Sequence, residues 1–198
     1  MNSATCSAWN PSECEGTVGC PARCPRFVDK QGELLLVEPY DPEYYNGLVS
    51  MYENYPSEHR SMGIPPIRTA GIERWLDSLL DSGANFIARN GDRVVGHAAF
   101  ASEDDRQPEL IVFVDSEYFE RGIGTELCYQ IVAHAAESGA DALVLDVAAD
   151  NERAIHVYKK MGFEVVNRSV IDIRMRLSFE KEIAETVRLP PAERSIYA

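Results

Sequence analysis

The stretch YFERGIGTEL, residues 118–127, combines residue types whose spacing suits anion binding, with Gly122 and Gly124 in a turn between an apolar run and a helical pattern. A glycine-rich turn that leaves a strand and enters a helix directs several backbone N–H groups at one point, where the helix dipole also favours an anion. The pattern indicates a phosphate-binding turn, and we call residues 119–125 the cradle turn. Its alternative is a plain connection, which also uses glycine for positive φ angles.

Two better-known phosphate-binding motifs are excluded. The dinucleotide-binding pattern G-x-G-x-x-G needs a third glycine at the position where this chain has Leu127. The P-loop needs G-K-[ST], a sequence that the chain does not contain. The turn on its own therefore identifies no ligand.

A downstream segment, NERAIHVYKKMGF at residues 151–163, has the pattern N-x-x-A-x-x-x-Y-x-x-x-G-F at the start of the next predicted helix. Together with VDSEYFERGIG, residues 114–124, it resembles the two signature motifs of the GNAT superfamily of N-acetyltransferases. The resemblance covers residues 109–163. It implies an enzyme that transfers an acetyl group from acetyl-CoA, its cosubstrate, to a primary amine of a small molecule, protein or peptide.

In that family the turn wraps the pyrophosphate of acetyl-CoA through backbone amides, and the pantetheine arm pairs like an extra strand with the strand before the turn. The resemblance therefore implies a cofactor site on the last strand residues, the cradle turn and the next helix start. The predicted cofactor-binding residues are Val112, Phe113, Val114, Phe119, Glu120, Arg121, Gly122, Ile123, Gly124, Thr125, Asn151 and Ala154. Asn151 is equally suited to a plain N-cap role.

The cradle turn departs from the family pattern in its charges. Phe119 stands where Gln or Arg is usual, and Glu120 stands where Gly or Arg is usual. We therefore expect a cradle that acts mainly through backbone N–H groups, with Arg121 as its one available cation.

Acetyl transfer to an amine needs a base for the amine, stabilisation of an oxyanion and a proton for the leaving thiolate. The resemblance places the Tyr158 phenol near the cofactor sulfur, where it can donate that proton; the alternative is a packing aromatic. Glu109 and Asp146 are the candidate bases, directly or through water, and each is alternatively an edge carboxylate. His97 is a weaker candidate, because a strand histidine is more often packed and hydrogen-bonded. The N–H group of Val112 or Val114 would hold the oxyanion.

The acceptor site is expected in the two helices predicted between residues 41 and 82 and in the loop that joins them. Aromatic and acidic residues in this region would suit a cationic amine, although surface helices carry the same residues for solubility. They are Tyr44, Tyr45, Tyr52, Glu53, Tyr55 and Glu58.

Four of the five cysteines form a cluster near the start of the chain, at Cys6, Cys14, Cys20 and Cys24. In a cytosolic protein, clustered cysteines are more often metal ligands than disulfides, which predicts a structural zinc site. The spacing lacks the paired C-x2-C of common zinc sites, so free thiols and redox-labile disulfides stay open. The functional alternative to an enzyme is a non-catalytic acyl-CoA-binding or interaction module that uses this cysteine arm.

The formal net charge of −13 argues against a nucleic-acid partner, because phosphate binding normally needs a basic surface. Four lysines stand against 32 acidic residues, a bias that resembles proteins of salt-loving organisms. Since no apolar run approaches the roughly 20 residues that span a bilayer, we expect a cytoplasmic protein without a membrane partner. The oligomeric state stays open, a homodimer being one state that the sequence allows.

The sequence predicts that the helices and strands that position these residues form one α/β domain. Short β-rich runs alternate with helical patterns in the order β-α-α-β-β-β-α-β-α-β-β, which predicts a mixed, mostly antiparallel central sheet flanked by helices. We expect a cysteine-rich irregular arm over residues 1–33, the acetyltransferase domain over 34–178, and a short charged helix with a tail over 179–198.

Overall fold

The computed structural model describes residues 10–60, 64–101, 107–179 and 181–194. Eight strands form one sheet in the order β1-β2-β3-β4-β5-β6-β8-β7. The strands are β1 (Arg26–Val28), β2 (Leu34–Pro39), β3 (Gly83–Asn90), β4 (Arg93–Ala101), β5 (Glu109–Val114), β6 (Ala142–Ala148), β7 (Glu164–Arg168) and β8 (Asp172–Ser178). The helices are α1 (Tyr45–Glu53), α2 (Thr69–Ser82), α3 (Ile123–Glu137), α4 (Glu152–Lys160), α5 (Lys181–Thr186) and α6 (Pro191–Arg194).

The sheet is antiparallel except at its centre, where β5 and β6 run parallel. There the register joins Glu109 to Val144, and the Val144 amide donates to the Pro108 carbonyl at 3.1 Å. Because this contact lies at the beginning of β5, the two strands diverge toward their carboxyl ends. The predicted mixed α/β fold is confirmed, and its sheet contains a gap between β5 and β6.

Helices cover both faces of the sheet. On one face, α3 and α4 contribute Leu127, Ile131 and Ile155 to the larger apolar core, which includes the buried strand residues Leu143 and Leu145. On the other face, α1 and α2 form a smaller core with Leu48, Tyr52, Ile72 and Leu76. The spacing of Ile72, Leu76 and Leu79 places them on one side of α2, and this side is the buried one.

The arm predicted to be irregular over residues 1–33 is partly a strand, and the prediction is wrong for Arg26–Val28. These three residues pair with β2. The sequence did not predict this strand, because it is only three residues long and follows Pro25 directly. Arg23, only 6% exposed, forms a bidentate pair with Glu126 of α3 at 2.7 Å and 2.6 Å. A buried charge pair is stable only with such complete hydrogen bonding, so this segment is part of the domain.

The last described residues also pack on the domain. The Val187 side chain is buried in the larger core, and its carbonyl accepts a hydrogen bond from Arg23 at 2.7 Å. The segments on either side of the predicted domain thus meet at α3. Across the described residues, no helix is both long and apolar enough to cross a lipid bilayer.

Candidate active site

A cavity of about 990 Å³ lies where β5 and β6 diverge, and we call it the groove. The end of β5, the cradle turn and the start of α4 form one side, with Tyr158. Tyr55, Glu58, His59 and Arg60, which follow α1, form the other side. All of the predicted cofactor-binding residues line the groove except Arg121.

In the described part of the chain, the register between β5 and β6 contains only Glu109 and Val144, so later main-chain groups on that side of β5 face the groove. The Asp115 amide donates to Val95 of β4 at 2.9 Å, and the Pro108 carbonyl faces β6. Since main-chain groups alternate in direction along a strand, the N–H groups of Val112 and Val114 are directed at the gap. An extended ligand can pair with this edge, or an oxyanion can be held there.

The cradle turn needs left-handed backbone at two positions. Glu120 has φ 65° and Gly122 has φ 88°, and α3 begins at the next residue. The positive φ at Gly122 favours glycine, and a Cβ atom there would make a close contact of 3.3 Å with Cζ of Phe27. Alternating conformations of this kind aim successive N–H groups at one point, which is an anion-binding arrangement.

The side chain of Arg121 does not face the groove, which corrects the expectation that it is the available cation. It is 7% exposed, and its Nε and Nη2 atoms donate to Asp29 and Glu33, each at 2.5 Å. Its guanidinium also stacks over the Tyr118 ring at 4.5 Å from the centroid. Two carboxylates from the β1–β2 turn, which no motif connects with the cradle turn, therefore bind this arginine.

Three other cationic residues, which the motifs did not predict, line the groove. Arg153 lies over the Phe119 ring at 5.4 Å and 3.5 Å from Glu120. Arg60 donates to the carbonyls of Tyr52, Tyr55 and Pro65 at 2.7–3.0 Å, so it closes the end of α1. Lys30 follows β1, and its Cε lies 3.8 Å from where a Cβ of Gly122 would be.

Tyr158 lies at the groove wall next to the buried Cys128, and its ring is 5.6 Å from that of Phe163. The Asn151 side chain accepts from the Ala154 amide at 3.1 Å, which confirms its N-cap geometry and orients α4. Burial raises the pKa of the Tyr158 phenol well above its ordinary value. The phenol is therefore protonated near neutral pH and has a proton to donate.

The two candidate bases lie together on the sheet, beyond the groove lining. Asp146 pairs with Arg174 at 2.8 Å across β6 and β8. Burial raises the pKa of the Glu109 carboxyl, Asp146 raises it further, and Arg174 offsets part of the increase. Neither carboxylate lines the groove, so a water relay is needed for either to reach an amine there.

His97 is a structural residue in this fold. It is 1% exposed and lies between Tyr52 and Asn85. Its Nδ1 is 2.7 Å from the Tyr52 hydroxyl, and its Nε2 is 3.0 Å from Oδ1 of Asn85. Because the Asn85 amide group donates to the carbonyls of Leu79 and Gly83, its oxygen accepts from Nε2–H, and Nδ1 accepts from the Tyr52 hydroxyl. Burial lowers the pKa of His97 to about 3, so the ring is neutral.

The α1/α2 side of the groove is aromatic. The Tyr55 ring packs edge-on against Phe113 at 5.5 Å, and His59 contacts Phe119 at 5.0 Å. Of the residues expected to form the acceptor site, Tyr55 and Glu58 line the groove. Tyr52 is buried beneath them, and Tyr44, Tyr45 and Glu53 lie elsewhere.

The cysteine cluster shows no metal-binding arrangement in the part of the chain that the structure describes. No group of three or more metal-ligating side chains occurs there. Cys14, Cys20 and Cys24 are free thiols, and Cys6 lies outside the described residues. The predicted zinc site therefore gains no support.

Comparison with known proteins identifies the family. A family model described as "Acetyltransferase (GNAT) family" matches residues 46–163. The mycothiol acetyltransferase of Corynebacterium efficiens is 34% identical over 83 residues, which are 41% of this chain and 28% of that protein. The mycothiol acetyltransferase of Saccharomonospora viridis is 31% identical over 123 residues, 57% of this chain and 39% of that protein. The chain thus spans well under half the length of these curated relatives.

Solved structures show the same fold at low sequence identity. The GNAT domain of PAT from S. lividans has a TM-score of 0.67 and 19% identity, and the match covers 78% of this chain and 96% of that one. The ribosomal-protein-S18-alanine N-acetyltransferase from Escherichia coli has a TM-score of 0.60 and 16% identity, with 74% and 94% covered. These matches show that the fold is shared.

Proposed function

This chain belongs to the GNAT acetyltransferase family, and we propose that it transfers the acetyl group of acetyl-CoA to a primary amine. The observation that carries the proposal is the divergence of β5 and β6. It leaves the N–H groups of Val112 and Val114 facing a groove that is bounded by the cradle turn and by Tyr158.

The groove offers contacts to two parts of acetyl-CoA. The cradle turn offers main-chain N–H groups for the pyrophosphate, and a Cβ at Gly122 would crowd Phe27 and Lys30 beside it. The β5 edge between Val112 and Val114 offers main-chain pairing to the pantetheine arm. When bound, the cosubstrate supplies a thioester, which is the acyl donor.

The chain's own residues have one role each in the transfer. Glu109 takes a proton from the acceptor ammonium through water, so that the neutral amine can attack the thioester, and its raised pKa brings it closer to the operating pH. The N–H of Val112 or Val114 donates to the developing oxyanion. Tyr158 donates its proton to the departing thiolate.

The acceptor is an amine of a small molecule or of a protein or peptide. Tyr55 and Glu58 on the α1/α2 side offer an aromatic face and a carboxylate, both of which suit a cation. The names of the similar proteins mention mycothiol and ribosomal-protein alanine, and what those names say applies to those proteins.

A non-catalytic acyl-CoA-binding module is the second candidate. It is favoured by one observation, that neither Glu109 nor Asp146 lines the groove. Such a module would bind acetyl-CoA without releasing free thiol in the presence of any amine.

The deciding experiment incubates the protein with acetyl-CoA and a panel of amines, at low and high salt, and follows free thiol. We expect thiol release with at least one amine, and a loss of about 100-fold or more in kcat for Tyr158→Phe with acetyl-CoA affinity unchanged. Tyr129→Phe is the matched control. This tyrosine is on α3, packs under Arg23 and lies outside the groove. Acetyl-CoA binding without thiol release on any amine would establish the second candidate.

A further inference from the structure

We propose that Lys30, in the turn between β1 and β2, is the side-chain cation that binds the phosphate groups of acetyl-CoA at the cradle turn. The inference rests on the proposed function, because it assigns a residue to that cosubstrate. Lys30 lies outside residues 46–163, which the family model matches.

The first support is position. Lys30 lines the groove, and its Cε and Cγ lie 3.8 Å and 4.0 Å from where a Cβ of Gly122 would be. Its amide also donates to the Arg121 carbonyl at 3.1 Å. The lysine is therefore tethered by its main chain to the cradle turn, with its side chain over the glycine.

The second support is charge. Phe119 and Glu120 bring no cation to the cradle turn, and the guanidinium of Arg121 is bound to two carboxylates. Arg153 is near Glu120 at 3.5 Å, and Arg60 donates to main-chain carbonyls. Among the ion pairs of the described residues none includes Lys30, so its ammonium is a groove cation with no carboxylate partner there, whereas Arg153 pairs with Glu120. A chain of net charge −13 repels phosphates at long range, which makes a local cation more valuable.

The third support is the rigidity of the turn. The Asp29 carboxylate accepts from the amides of Gln31 and Glu33, each at 2.9 Å, and it also binds Arg121. The Asp29 side chain is fully buried. Arg121 thus acts as an anchor of the β1–β2 turn, and this anchor holds Lys30 over Gly122.

The test measures binding of acetyl-CoA, acetyl-dephospho-CoA and acetylpantetheine at low salt to the wild type, Lys30→Gln, Lys30→Arg and Lys160→Gln. Lys160 is exposed on α4 outside the groove, so its variant matches the loss of charge without the contact. We expect Lys30→Gln to weaken acetyl-CoA binding about 5- to 10-fold and acetylpantetheine binding not at all, because only the former carries phosphates. Lys30→Arg should retain most of the affinity, and Lys160→Gln should match the wild type.

Acetyl-dephospho-CoA identifies the phosphate. A similar loss with this ligand places Lys30 on the pyrophosphate, and no loss places it on the 3′-phosphate. Wild-type affinity in Lys30→Gln, or an equal loss for all three ligands, would overturn the inference alone. A wild type that does not bind acetyl-CoA would overturn the proposed function and the inference with it.

Discussion

On the α3/α4 side of the groove, two continuous segments offer main-chain N–H groups, whereas the α1/α2 side offers aromatic and acidic side chains. The cradle turn and the β5 edge present N–H groups whose directions follow from local backbone conformation. The Tyr55 ring instead packs against Phe113 of β5, a residue distant in sequence. Main-chain sites can therefore be recognised from short motifs, and side-chain sites depend on the packing of the whole fold.

The largest expected effect concerns the buried network under the α1/α2 side. Because the pKa of His97 is lowered from 6.5 to about 3, the unfolded chain binds a proton between these values that the folded chain does not. The free energy of unfolding should fall as pH decreases from about 6.5 to about 3, by up to about 1.4 kcal/mol per pH unit from this residue. Urea unfolding of the wild type and His97→Gln at several pH values should show a shallower dependence in the variant.

His156→Gln is the control for that measurement, since His156 is exposed on α4. Carboxylates titrate in every variant, and their contribution cancels in the comparison. The same slope in wild type and His97→Gln would show that the α1/α2 side does not depend on a neutral buried histidine.

The next effect tests the main-chain side. Gly122→Asp should weaken acetyl-CoA binding at least about 10-fold, because a side chain at φ 88° would meet Phe27 and bring a negative charge to the cradle turn. Gly139→Asp is a matched control, with φ 83° and no atom within 4 Å of the added Cβ. Calorimetry should show normal affinity in the control, and equal losses in both would point to backbone strain rather than to the site.

A smaller effect is expected on the side-chain wall. Tyr55→Ala removes an aromatic contact with Phe113, so KM for the amine should rise about 5- to 10-fold while acetyl-CoA affinity changes little. Tyr44→Ala makes the same truncation outside the groove, where that ring lies under Arg89. If Tyr55→Ala weakened acetyl-CoA binding as much as acceptor binding, the division between the two sides would not hold.

The smallest effect is a shift in pH dependence. Asp146→Asn removes a charge that raises the pKa of Glu109 and leaves Arg174, which lowers it. The Glu109 pKa should therefore fall, and the acid limb of the kcat/KM profile should move to lower pH. Asp92→Asn, in the exposed β3–β4 turn, makes the same charge change and should leave the limb in place. An unmoved limb in Asp146→Asn would remove Glu109 from the proposed mechanism.

The sequence predicted the parts of the site that depend on local backbone. The glycines of the cradle turn and the cap at Asn151 follow from patterns within a few residues, and the groove position of Tyr158 was implied by the family resemblance. The direction of the Arg121 side chain did not, because it is determined by Asp29 and Glu33 about 90 residues earlier in the chain. Lys30 and strand β1 were also missed, because neither belongs to a recognisable periodic pattern.

The packing of the Arg23 and Val187 segments at α3 has a consequence for any attempt to isolate the part of the chain that matches the family model. A fragment cut to residues 46–163 would lose β2 and β8, exposing the edges of β3 and β6 to association with other chains. It would also leave Glu126 as a buried carboxylate without Arg23, a loss of about 3–5 kcal/mol. The smallest fragment expected to fold therefore extends from before Arg23 to beyond Val187. It is considerably longer than residues 46–163, by which the family is recognised.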